Sequence, residues 1–75
     1  MKSVHYEEMT ICDEFVQIDV YHPRGSYRSE WSCVNLHLHG RCSTPAASVQ
    51  GAVSYAAMKA ELAIKQKKYE SDRNG

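Results

Sequence analysis

The chain has 75 residues, 43% of them hydrophobic, with nine acidic and nine basic residues. This length allows one domain at most, so residues 1–75 are expected to form a single small domain, and the balanced charge argues against a general nucleic-acid binder, which would be basic overall. The charge is uneven, however: residues 1–20 hold one basic and five acidic residues, a net charge of −4.

The cysteine count and the apolar segments predict where in the cell the protein is located. Three cysteines form an odd set, and no secretory apolar segment follows Met1. Disulfides are rare in the cytosol, and no stretch approaches the ~20 apolar residues of a membrane helix. The sequence therefore predicts a cytoplasmic protein with reduced thiols and no membrane contact.

The first half of the chain reads as two strands. Residues 3–11 are an irregular and acidic strand candidate, which suits the edge of a sheet, and residues 12–14 form the turn. Residues 15–21 alternate strictly, with Val16, Ile18 and Val20 on one side, as in a half-buried strand.

A hairpin and a third strand follow. In the segment HPRGS, residues 22–26, the proline cannot join a ladder and the glycine permits positive φ, so a loop is predicted. Alternation returns over residues 28–39, which predicts a third strand antiparallel to the second. In that register the core side carries Val34, Leu36 and Leu38. The open side carries Tyr21, Trp31, Asn35, His37 and His39.

The remaining chain is predicted to be one long helix over residues 43–70. Ser43 or Thr44 would be its N-cap and Pro45 its first position, and many alanines follow. Residues 71–75 are expected to be a frayed tail. The predicted fold is therefore α+β, a small three-stranded antiparallel sheet in β-β-β-α order with the helix packed on one face.

At 100° per residue this helix has two apolar stripes. The stripe predicted to lie on the sheet consists of Val49, Ala52, Val53, Ala56, Ala60, Ala63 and Ile64. The second stripe, more than a right angle away, consists of Tyr55, Met58, Leu62 and Tyr69. Since the first stripe already covers the sheet, the second is a candidate self-association surface, most simply of a homodimer across a two-fold axis. The alternative is a helix rolled so that both stripes are partly buried.

Aromatic and arginine residues interleave in YHPRGSYRSEW, residues 21–31. Together with the open sheet face they predict a partner-binding surface made of Arg24, Tyr27, Arg28, Trp31, His37 and His39. Tyr, Trp and Arg dominate protein-binding hot spots, and the same residue types stack on bases and pair with phosphates. The alternative is a hairpin loop with ordinary surface residues.

The segment CVNLHLHGRC, residues 33–42, holds four residues of the types that bind zinc. His37 and His39 would share one strand face and could chelate together. Cys33 would lie ~13 Å from His37 along an extended strand, too far to join, whereas Cys42 could curl back. We therefore expect no metal or other cofactor, with a zinc-stabilised domain as an alternative. No cysteine has a recognisable base with an orienting group, so no catalytic residue is predicted.

These patterns predict a non-enzymatic interaction protein that binds and modulates or inhibits a larger macromolecular partner, most simply a protein. In size and style the chain is similar to the short accessory proteins of phages and other mobile elements. Many of those inhibit a host enzyme or a defence complex such as CRISPR–Cas, as anti-CRISPR proteins do, although no motif adds to the resemblance. The alternatives are a small nucleic-acid-binding module that uses an aromatic and arginine sheet face, and the zinc-stabilised domain.

Overall fold

Residues 2–74 form a four-stranded antiparallel meander and one long helix. The computed structural model describes the backbone of residues 2–74 and the side chains of residues 2–70. Its elements are β1 (His5–Ile11), β2 (Glu14–Tyr21), β3 (Tyr27–Cys33), a 3₁₀ turn (Val34–Leu36), β4 (Leu38–Ala46) and α1 (Val49–Asn74). The sheet order is β1-β2-β3-β4. The α+β class, the antiparallel sheet and the long C-terminal helix are thus confirmed, whereas the predicted count of three strands is wrong.

The predicted third strand is in fact two strands. The chain turns at residues 34–37, where His37 has φ +56° and its N–H donates to the Val34 carbonyl at 3.1 Å. Cys33 and Leu38 pair directly across this turn, so they face the same side of the sheet. One continuous strand would have put them on opposite sides. The turn contains no glycine or proline, which is why the sequence did not indicate it.

Helix α1 begins at Val49, four residues later than Pro45, the predicted first position of the helix. Residues 43–46 belong to β4, an edge strand, where a proline is tolerated. Ser48 is the N-cap, since its Oγ accepts from the Gly51 N–H at 3.0 Å. The Ser-Thr-Pro segment matches a helix start locally, but strand pairing of Tyr27 with Ala46 overrides that preference.

The core lies between α1 and one face of the sheet. Its fully buried members come from the two central strands and the alanine-rich side of the helix: Val16, Ile18, Val20, Cys33, Ala52, Ala56, Ala60 and Ile64. The predicted core stripe of the helix is thereby confirmed. The predicted core residue Val34 is 67% exposed, because the turn removes it from the sheet.

Trp31 completes this core from β3, with 6% of its surface exposed. Its indole lies over Gly40, the residue opposite it on β4. A Cβ added to Gly40 would stand 2.8 Å from Trp31 Nε1, so glycine at this position makes room for the ring.

The far end of α1 is joined to the β1–β2 turn. Lys68 Nζ lies 3.2 Å from a Glu14 carboxylate oxygen and also donates to the Cys12 carbonyl. The helical backbone continues to Asn74, while Gly75 and the side chains of the predicted frayed tail, residues 71–75, lie outside the described residues. Within residues 2–74 no helix is long and apolar enough to span a membrane.

Candidate functional site

The sheet face opposite α1 is covered by no other element among residues 2–74. We term it the outer sheet face. Direct cross-strand pairing aligns its side chains in rows, and one row crosses all four strands: Tyr6, Asp19, Glu30 and Arg41. The adjacent row is Glu8, Gln17, Ser32 and His39. Phe15 and Tyr21 flank these rows on β2.

The polar groups of the outer sheet face hold one another in place. Glu30 accepts from the Tyr21 hydroxyl at 3.3 Å and forms an ion pair of 2.8 Å with Arg41 Nε. The Tyr6 hydroxyl donates to Glu8 at 3.0 Å. Because Arg41 is 85% exposed, its ion pair stabilises the fold by only about 0–1 kcal/mol. These bonds therefore orient the surface more than they stabilise the protein.

The β1–β2 half of this face is electronegative. Asp19 stands directly opposite Glu30, and like charges in that position destabilise a sheet. Among the side chains of residues 2–70, Asp19 has no ion-pair partner. Desolvation and then the Glu8 carboxylate raise the pKa of Tyr6; desolvation and then Glu30 raise the pKa of Tyr21. The acidic segment, residues 1–20, thus contributes the negatively charged half of the outer sheet face.

The hairpin loop between β2 and β3, residues 22–26, is confirmed and lies at one end of the sheet. The rings of His22 and Tyr27 stack with centroids 4.1 Å apart, which braces the loop. Arg24 is exposed and has φ +56°. Arg28 is half-buried, donates to the Ser43 carbonyl, and its Nε is buried without a partner. Only Arg24 therefore presents its charge freely here.

The residues of the predicted partner-binding surface lie in separate parts of the structure. The prediction that Trp31 lies on the open side is wrong, since its ring packs beneath α1. His39 does lie on the outer sheet face, whereas His37 sits in the 34–37 turn. That turn and the hairpin loop are at opposite ends of β3, about 20 Å apart for a strand of this length. Arg24 and His37 therefore do not belong to one site.

The four predicted zinc ligands are also separated. Cys33 and Cys42 are buried on the helix side of the sheet, while His39 points to the outer side. No group of three or more His, Cys, Asp and Glu side chains within residues 2–70 could hold a metal ion. The four predicted ligands therefore do not form one zinc site.

A second accessible surface runs along α1, opposite the core. Its large apolar residues are Tyr55, Met58, Leu62 and Tyr69, exposed by 38, 60, 65 and 64%. Leu62 follows Ala60 by two residues and so lies about 200° around the helix from it. The alternative in which a rolled helix partly buries both stripes is therefore wrong. With Gly51 and Lys65, which share this side, we term these residues the outer helix face.

Sequence reasoning missed the row Tyr6, Asp19, Glu30 and Arg41. The position of Asp19 could have been predicted from the sequence. Asp19 alternates with the buried Ile18 and Val20 and must point away from them. Glu30 and Arg41 required knowledge of the turn at 34–37, which brings β4 beside β3. Comparison with known proteins adds no further assignment: no family model, curated protein or solved structure matches the chain.

Proposed function

We propose that this chain is a non-enzymatic interaction protein that binds a larger protein and modulates or inhibits it through the outer sheet face and the adjoining hairpin loop. The observation that carries the proposal is the uncovered sheet face, on which exposed aromatic rings stand among mutually bonded charged groups. Tyr6 and Phe15 are 49% and 48% exposed there. A surface whose side chains are already oriented loses less entropy on binding, and aromatic residues supply much of the energy at interfaces.

Charge favours a protein partner over nucleic acid. Three carboxylates, those of Glu8, Asp19 and Glu30, lie on the outer sheet face and would repel a phosphate backbone. Arg41, the cation of the same row, is already paired with Glu30. The nucleic-acid alternative would depend mainly on the hairpin loop, with Arg24 and Tyr27. A partner surface with basic groups opposite β1 and β2 is the better electrostatic match.

The action on a host enzyme or a defence complex such as CRISPR–Cas stays a prediction from resemblance in size and style. It supplies one concrete class of partner for testing. Inhibition by blocking a surface requires contact area and not a catalytic pocket, and the outer sheet face supplies such an area.

The first experiment is an affinity capture from host lysate with the tagged protein, with and without nuclease. The proposal expects a protein that is retained after nuclease treatment and then binds as a purified component. Loss of all binding after nuclease treatment would instead favour the nucleic-acid module.

Matched variants then locate the surface. The double change Glu8→Lys with Asp19→Lys should weaken binding by about tenfold or more, because it reverses the charge of the outer sheet face. Glu70→Lys, an exposed charge reversal on α1, is the control and should bind like the parent. Circular dichroism verifies folding of each variant. A folded double variant that retains parental affinity would contradict the assignment of this face.

A further inference from the structure

The outer helix face has the spacing of a helix–helix seam. Gly51, Tyr55, Met58, Leu62, Lys65 and Tyr69 follow one another at alternating intervals of four and three residues. Such a 3.5-residue repeat suits a left-handed helix pair crossing at about +20°. The other side of α1 is already buried on the sheet, so this second apolar stripe has no partner within the described residues.

We propose that two copies of the chain pair through the outer helix face, with antiparallel helices, to give a sheet–helix–helix–sheet homodimer. This surface is on the opposite side of the molecule from the outer sheet face. The homodimer is therefore independent of the proposed partner-binding function. The outer sheet face of each copy would stay free for a partner.

The charge pattern of α1 selects the antiparallel direction. Residues 49–58 carry no charge, whereas residues 59–70 hold four lysines and two glutamates. A parallel pair would place Lys65 beside its own copy and bring two lysine-rich halves together. In an antiparallel pair each lysine-rich half lies against an uncharged half. A lone lysine within an apolar seam specifies register and oligomeric state, at a cost in stability.

The same geometry proposes a register. Pairing the seam about its midpoint sets Met58 against Leu62 of the second copy, and Tyr55 against Lys65. The Lys65 ammonium, which lies 3.2 Å from Glu61 on its own helix, would then also face the tyrosine ring, a favourable contact. At each end Tyr69 lies against the first turn of the other helix, where Gly51 is half-buried beside Ser48 and Ala46. This register uses every position of the outer helix face.

The available area indicates a weak, concentration-dependent dimer. Large aromatic side chains bury roughly 150–250 Å² each when fully covered. At their observed exposures the four apolar residues together offer roughly 400–500 Å² per chain, or roughly 800–1,000 Å² in total. That is below the usual size of a stable interface, ~1,600 Å², and within the range of transient ones.

The homodimer is tested by sedimentation of the parent protein over a range of concentrations. We expect a monomer–dimer equilibrium in the micromolar range, on the order of 10–100 µM. Leu62→Glu should shift it about tenfold or more toward monomer without unfolding the chain. Thr10→Glu adds the same charge on the outer sheet face, away from the seam, and should dimerise like the parent. A parent that stays monomeric up to about 1 mM, or a Leu62→Glu variant that dimerises unchanged, would overturn the proposal.

Cysteine cross-linking tests the direction of the helices. Tyr55→Cys and Lys65→Cys are made separately in a Cys12→Ser background and oxidised with glutathione disulfide. The antiparallel register expects a cross-linked dimer only when the two variants are mixed. Cross-links within each variant alone would indicate parallel helices, and no cross-link in any sample would exclude this register. Either result would leave the proposed function of the outer sheet face unaffected.

Discussion

The two sides of α1 invert the usual relation between size and burial. Its inner side buries Ala52, Ala56 and Ala60, which are among the smallest apolar residues, along with Ile64. Its outer side exposes Met58 and Leu62, which are larger. Hydrophobicity alone would have placed the large residues inside, because burial free energy grows with apolar area.

Geometry explains the inner side. A helix that packs across a twisted sheet approaches it closely only if its contact residues are short, and here Trp31 and the valines of β2 supply the volume from the sheet. No such packing requirement acts on the outer side. Packing within the monomer therefore does not explain the large apolar residues exposed there. Contact with a second copy in the proposed homodimer would explain them.

The largest expected difference between the two sides comes from a buried charge. Ile64→Asp should unfold the domain, since an unpaired buried carboxylate costs several kcal/mol and a chain of this size has only about 5 kcal/mol of stability. Leu62→Asp adds the same group on the outer side and should change stability by less than about 1 kcal/mol. Thermal unfolding of dilute samples, followed by circular dichroism, measures both. Equal destabilisation would mean that α1 is rolled differently.

A second comparison is between the two faces of the sheet, with Trp31 in the core and Phe15 on the outer sheet face. Trp31→Ala should lower the free energy of unfolding by about 3–5 kcal/mol, because it leaves a large cavity beneath the helix. Phe15→Ala, on the outer sheet face, should cost about 1 kcal/mol or less since half of that ring is already in water. Urea denaturation compares them. A folded parent whose only tryptophan fluoresces as a water-exposed indole would contradict the buried position.

Gly40 tests how tightly that layer is packed. Gly40→Ala should destabilise the protein by about 1–3 kcal/mol, because the new Cβ would stand 2.8 Å from Trp31 Nε1. The double variant with Trp31→Phe should recover part of this loss, since the smaller ring leaves space. Non-additivity in a double-mutant cycle is the measurement. Strictly additive effects would indicate that the two residues do not touch.

The smallest effect is expected on the outer sheet face, at alkaline pH. Desolvation and the neighbouring carboxylates raise the pKa of Tyr6 and Tyr21 above the tyrosine value of the unfolded chain. Their stabilisation is therefore complete below about pH 10 and is lost as the pH rises through the folded-state pKa. Tyr21→Phe should flatten the fall of melting temperature above pH 10. An identical alkaline profile would show that Tyr21 does not contribute.

Much of the candidate surface follows from local pattern. The alternation around Val16, Ile18 and Val20 determines which side of β2 is buried, and so predicts Asp19 outside. Helical spacing alone separates Leu62 from Ala60. These inferences hold because each depends on a period within a single element, 2 residues for a strand and 3.6 for a helix.

Local sequence pattern was enough to predict the α+β class, the acidic edge strand, the hairpin loop at 22–26 and the two sides of α1. Three features became known only from the packed chain: the turn within residues 28–39, the strand pairing of residues 43–46 and the burial of Trp31. The reason is that alternation continues unbroken through the 34–37 turn in sequence while the chain reverses in space. Pairing between distant strands, and not local propensity, supplies the energy that selects that reversal.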